Sequence, residues 1–131
     1  MRVIEIGNIY VNIPYHCRII LRENLDEFWP KRERKSDALL VLKINGRQLC
    51  ILIEQTGHPE LKDLRRLNEM ERKLRDKKLL TSNHIVMKVL HHKGIRNALL
   101  VNAARSYKIE LQECTRIIDL ERILLKRGLT Q

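Results

Sequence analysis

The chain has 131 residues, 44% of them apolar and 32% charged. That composition excludes a disordered or fibrous class and suits one soluble domain burying roughly two thirds of its unfolded surface. Twenty-six Lys and Arg against 16 Asp and Glu leave a formal charge of +10, which favours a polyanionic partner, nucleic acid ahead of an anionic membrane surface.

No apolar run approaches the length that crosses a bilayer. Glu5 and Asn8 interrupt the first apolar stretch, which argues against a secretory segment and for a cytoplasmic protein. Cys17, Cys50 and Cys114 are odd in number and far apart, so they read as reduced thiols rather than a disulfide framework or a zinc pair. Neither a repeat nor a Gly/Ser linker divides the sequence, and residues 1–131 are expected to form a single domain.

In chain order, residues 2–6 and 9–13 are rich in Val, Ile and Tyr and are expected to be strands of a hairpin turning at Gly7-Asn8. Residues 16–28 carry apolar side chains at helical spacing, although Arg18-Ile19-Ile20-Leu21 equally suits a strand. Residues 31–35 are a charged connection into SDALLVLKINGRQLCILIEQTG, residues 36–57. A helix is expected over 59–78, with Pro59 in its first turn and Leu61, Leu64, Leu67, Met70 and Leu74 as its apolar stripe.

Residues 82–93 read as a second helix between Ser82 and Gly94, with Ile85, Val86 and Val89 leaving a strand open. Residues 97–102 suit a short buried strand. A helix through Ala104, Tyr107, Leu111 and Cys114 should follow, then a short strand at residues 116–118. Asp119 is placed to cap a final helix over 120–127, closed by Gly128. Alternating strands and helices give an α/β or α+β class.

The segment 36–57 is the most informative. Asn45-Gly46 between apolar runs is a strong hairpin signal, because a type I′ turn needs positive φ at both central residues. That turn fixes the register from Ile44 opposite Arg47 outward to Asp37 opposite Glu54. The two acids then share a sheet face as a non-hydrogen-bonded pair, whose α-carbons lie about 4.5 Å apart. Leu39, Val41, Cys50 and Leu52 lie on that face and the other face is apolar too, so the hairpin is expected at the centre of a covered sheet. Like charges directly opposite destabilise a sheet unless a cation sits between them. Two converging carboxylates therefore suit Mg²⁺ or Mn²⁺, against the plainer reading of polar strand ends opening into solvent.

An acid opening one strand, a hairpin and an acid closing the next, here Ser36-Asp37 and Ile53-Glu54-Gln55-Thr56, resembles the PD-(D/E)XK nuclease superfamily. The region after residue 95 is similar to the catalytic domains of Mrr-type restriction enzymes and archaeal junction resolvases. The resemblance covers residues 36–127. It implies a restriction-endonuclease-like mixed central sheet flanked by helices and a metal-dependent DNA endonuclease. Asp37 and Glu54 would hold Mg²⁺ or Mn²⁺, with the main-chain carbonyl of Gln55 as a further ligand.

Thr56 stands where the superfamily usually has a lysine, and Ser36 where it has a proline. A neutral hydroxyl does not supply the charge of that lysine, so the resemblance implies a relocated cation, Lys62 first and Lys35 second. Glu23 or Glu27 would be the additional acid that some members carry. The alternative is a catalytically silent nuclease fold that binds nucleic acid or a partner protein. A basic adaptor with no nucleic-acid role is a third reading.

Lys35, Lys62, Arg65 and Arg66 are the expected phosphate contacts, with DNA favoured over RNA, although a solvated helix face accounts for most of the basic residues over 62–78. A homodimer would suit cutting of both strands. His58 is either a proton carrier or a loop residue before Pro59, and His91-His92 is expected at a helix end rather than at a metal. Trp29 and Tyr107 read as core or interface residues.

Overall fold

The computed structural model describes residues 2–7, 9–24, 37–113 and 117–129, and the side chains of all of these except Leu21, Glu23, Asn24 and Asp37. Strands β1 (Arg2–Ile6) and β2 (Ile9–Ile13) form the expected antiparallel hairpin, with Gly7 at φ 60° in its turn. Strand β3 (Arg18–Asn24) follows, settling the ambiguity over residues 18–24 against a helix. Residues 16 and 17 form a turn ahead of β3, with the Cys17 N–H donating to the Pro14 carbonyl at 3.2 Å, and residues 25–28 and the connection over 31–35 fall outside the described residues.

Strands β4 (Asp37–Ile44) and β5 (Arg47–Gln55) form the central hairpin, in register from Ile44 with Arg47 to Asp37 with Glu54. Asn45 at φ 51° and Gly46 at φ 80° supply the two positive torsions of the turn, as the Asn-Gly pair requires. Helix α1 (Leu61–Asp76) is shorter than expected at both ends. Pro59 and Glu60 precede its first turn, where the Asp63 carboxylate accepts from the Glu60 N–H at 2.7 Å.

Strand β6 (Ile85–His92) replaces the helix expected over 82–93. Its odd residues Met87 and Val89 enter one core and Leu90 the other, so covered faces gave a run without clean alternation. Helix α2 (Leu99–Ser106) replaces the strand expected at 97–102, and β7 (Ile109–Glu113) replaces the second half of the helix expected to follow. Leu100 and Ala104 are buried one turn apart while Leu99 and Val101 face outward. Strand β8 (Ile118–Asp119) and helix α3 (Leu120–Lys126) agree with expectation. Asp119 accepts from the Arg122 N–H at 3.2 Å, and Gly128 follows the helix at φ 71°.

The class is mixed α+β. A five-stranded sheet runs in the order β3-β4-β5-β6-β7, antiparallel through β5 and parallel from β5 to β7. Helices α1 and α2 supply the crossovers that parallel neighbours need. A smaller sheet, β1-β2-β8, packs with α3 over one face of the large one. One core joins Leu40, Leu42, Leu49, Ile51 and Ile53 to that small sheet, and the other joins Leu39, Val41, Cys50 and Leu52 to α1 and α2. No helix among the described residues is long and apolar enough to cross a membrane.

Candidate active site

Alternation along β5 sends Cys50, Leu52 and Glu54 toward α1, so the acid shares a layer with an apolar core. Glu54 is fully buried, and a bare carboxylate there would face a large desolvation cost. The Arg66 guanidinium of α1 meets it, with Nη1 3.1 Å from Oε1 and its own side chain only 11% exposed. Arg66 lies on the inward side of α1, one turn from buried Asp63 and Met70, which aims it at the sheet. Asp37 is the cross-strand partner of Glu54 in the backbone register, as expected.

Lys62, first choice for a relocated cation, is well exposed and pairs with Glu60 at 3.6 Å. The structure does not bring it to Glu54. Arg65 is exposed. Lys35, Glu27, Trp29 and Cys114 lie outside the described residues. Gln55 is half-buried opposite His91 in the register, and half-buried Thr56 continues the ladder by donating its N–H to the His91 carbonyl at 2.9 Å. The ladder extends through Lys93 N–H to Gly57 O at 2.7 Å and His58 Nδ1 to Gly94 O at 3.2 Å. The strand carrying Glu54 is thus tied to β6 past its formal end, and His58 is part of that tie.

A second polar contact fixes α1 to the sheet. Lys88 of β6 donates to Asn68 Oδ1 at 2.7 Å and meets Glu71 at 2.9 Å, while Glu71 also bridges Arg75 at 3.0 Å. Burial pushes the Glu71 carboxyl up, but hydrogen bonds from Lys88 and Arg75 outweigh it and hold the group below its usual range. Lys88 was invisible as a site residue because its segment read as a helix. In β6 it faces α1, two positions before Leu90, the register neighbour of Glu54.

Cys50 lies under the same layer, where burial, reinforced by Glu71, pushes its thiol up to about 12. Such a thiol stays protonated and is a poor nucleophile. Cys17 is also buried and free, as expected. His91 and His92 are both buried at the end of β6 rather than on a helix.

Burial lowers the pKa of the His92 imidazole from 6.5, with His91 and His58 adding to the effect and Glu113 opposing it. The unfolded chain therefore takes up this proton first. The stabilising contribution of neutral His92 is full above pH 6.5 and declines as the pH falls below it. Urea unfolding between pH 8 and pH 5 should show stability falling toward acid, with a shallower fall in His92→Gln.

Among the described residues, no group of three or more His, Cys, Asp or Glu side chains is positioned to hold a metal ion. No protein-family model, curated protein or solved structure matches the chain.

Proposed function

We propose that the chain is a Mg²⁺- or Mn²⁺-dependent DNA endonuclease of PD-(D/E)XK type whose working groups are Asp37, Glu54 and Arg66. The observation that carries this reading is the register that opposes Asp37 and Glu54 at the end of a central covered hairpin, with a guanidinium on Glu54. The donor set fits a hard divalent ion, which takes one or two carboxylates and completes its shell with water and phosphate oxygens. Asp37, Glu54 and the Gln55 carbonyl would hold it, and when bound it supplies Lewis acidity toward a phosphodiester and a more acidic water.

Arg66 takes the place first given to Lys62. The Thr56 hydroxyl carries no charge, whereas Arg66 presents a permanent cation within hydrogen-bond distance of Glu54. It offsets the like charges of the acid pair and offers N–H donors to negative charge growing on phosphoryl oxygens. The net charge of +10 favours DNA as the polyanion. Two copies, each cutting one strand, would sever a duplex.

One observation favours the alternative, a catalytically silent fold that binds nucleic acid or a partner protein. Glu54 has no exposed surface and is already engaged by Arg66, as in a structural ion pair. Incubation with plasmid, linear and branched DNA in Mg²⁺, Mn²⁺ or chelator separates the two. The enzyme reading expects metal-dependent cleavage that falls roughly 100-fold or more in Asp37→Ala and in Glu54→Gln. Absent cleavage, or cleavage that both variants retain, leaves the silent reading.

A further inference from the structure

We propose that the end of the large sheet opposite Glu54 binds an organic phosphate, its anionic head beside Arg47 and His84 and its organic body in an adjoining recess of mixed polar and aliphatic lining. The inference does not rest on the nuclease reading, since Arg47 and Glu54 lie toward opposite ends of β5.

A cavity of about 520 Å³ opens there, lined by Arg47, Gln48, Thr81, Asn83 and His84 with Gly46 and Ile85. Among the described residues no carboxylate lines it. Its polar groups are a guanidinium with donors only, two side-chain amides, a hydroxyl and an imidazole. Arg47 makes no side-chain hydrogen bond or ion pair among the described residues, unlike Arg66, Arg75 and Arg127.

The imidazole is already oriented. The Thr81 N–H donates to His84 Nδ1 at 3.2 Å, so neutral His84 carries its proton on Nε2 and that nitrogen is a donor. The Thr81 loop is itself held, with its carbonyl accepting from Arg75 of α1 at 3.3 Å and its hydroxyl accepting from the Asn83 N–H at 3.3 Å. A donor-rich concavity without a competing acid selects an anion with several acceptor oxygens, and a planar guanidinium suits phosphate in particular.

A second cavity of about 260 Å³ adjoins the first and shares Arg47 and Ile85 as lining. Ile44, Leu49, Ile85 and Leu129 line it together with Asn45 and Gly128, so its wall mixes aliphatic and polar groups. The two cavities thus place aliphatic side chains and the Asn45 amide on one side of a guanidinium and the Thr81, Asn83 and His84 polar groups on the other. That arrangement matches a phosphate ester better than inorganic phosphate alone.

Side-chain and methyl NMR of the full chain tests this with three probes: inorganic phosphate, a nucleoside monophosphate and a short single-stranded oligonucleotide. The monophosphate should give saturable shifts at Arg47 Nε, His84 and the Ile85 and Leu129 methyls. Inorganic phosphate should bind more weakly and leave the methyls unmoved. Arg47→Gln, at an exposed position that leaves both cores intact, should weaken the monophosphate roughly tenfold or more, and Arg96→Gln, an exposed charge past the far end of β6, should not. An oligonucleotide that occupies the site more tightly than the monophosphate assigns it to chain phosphates, and the reverse order assigns it to a free nucleotide. No saturable shift with any probe, or equal losses in the Arg47 and Arg96 variants, overturns the proposal.

Discussion

Arg66→Ala is expected to lower unfolding free energy by roughly 3 kcal/mol or more, the cost typical of removing one member of a buried ion pair. Glu54 lies wholly out of solvent and Arg66 nearly so, with 3.1 Å between the charged atoms. At an effective dielectric near 20, unit charges about 4 Å apart attract by about 4 kcal/mol. Losing that attraction at a buried carboxylate adds to the packing lost with the long Arg66 stem. Urea denaturation should show the loss as a lower midpoint, and the melting temperature should fall by roughly 10 °C.

The comparison that isolates the pair is a cycle with Glu54→Gln and the double change Glu54→Gln/Arg66→Met. The double variant should be more stable than Arg66→Ala, because it removes both charges while keeping most of the buried volume. If Arg66→Ala matches the native chain in stability, the ion pair does not hold α1 to the sheet. The same variant also bears on chemistry. Arg66→Lys retains a cation of different shape, so under the enzyme reading it should keep more cleavage than Arg66→Ala, even if both fold.

The hairpin was legible because a turn of two residues leaves no freedom in register. Asn45 and Gly46 specify positive φ, and every pair out to Asp37 with Glu54 follows from that. Most of the α1 stripe was legible for a comparable reason, since Leu64, Leu67, Met70 and Leu74 face one core, whereas Leu61, expected on the same stripe, is exposed at the helix start and the charged Asp63 and Arg66 turn inward. The second half was harder. In β6 both faces are covered and Lys88 breaks the apolar run, yet its ammonium is satisfied by Asn68 and Glu71 from a distant helix. Only the folded arrangement shows that a lysine can sit inside that strand.

Helix α2 was misread in the opposite sense. Ala98-Leu99-Leu100-Val101 looks like a buried strand, but Leu99 is 71% exposed and only Leu100 of the run is buried. Asn97 accepts from the Leu99 N–H at 3.0 Å, a local turn contact that starts the helix. The next boundary was missed at Lys108, whose φ of 56° ends the helical path and launches β7. A lysine carries no sequence signal for that conformation, which usually marks Gly or Asn. The site inherited one of these gaps: Arg66 was read as a phosphate contact because a basic helix gives no indication of which cation turns inward.

Leu40→Ala and Leu52→Ala are each expected to cost roughly 2–5 kcal/mol, the range for truncating a buried leucine. Both side chains are fully buried, on adjacent strands but opposite faces, Leu40 under the small sheet and α3 and Leu52 under α1 and α2. A domain of this size has only about 5–15 kcal/mol in total, so either change takes a large share. Since β4 and β5 serve both layers, the layers should not melt separately. Each variant should keep one cooperative urea transition with an unchanged slope and a lower midpoint. The leucines share no core cluster but lie on neighbouring rungs of one ladder, so a double-mutant cycle reads how far the two layers couple, and the double variant should be largely unfolded at room temperature. Two transitions in Leu40→Ala, with the α1 layer persisting, would show that the small sheet and α3 are an independent unit. In that case the central sheet could keep Asp37 opposite Glu54 without them. A single transition would instead make the register of the acid pair depend on both cores at once, so a leucine on the face away from Glu54 would govern the site as strongly as one beside it.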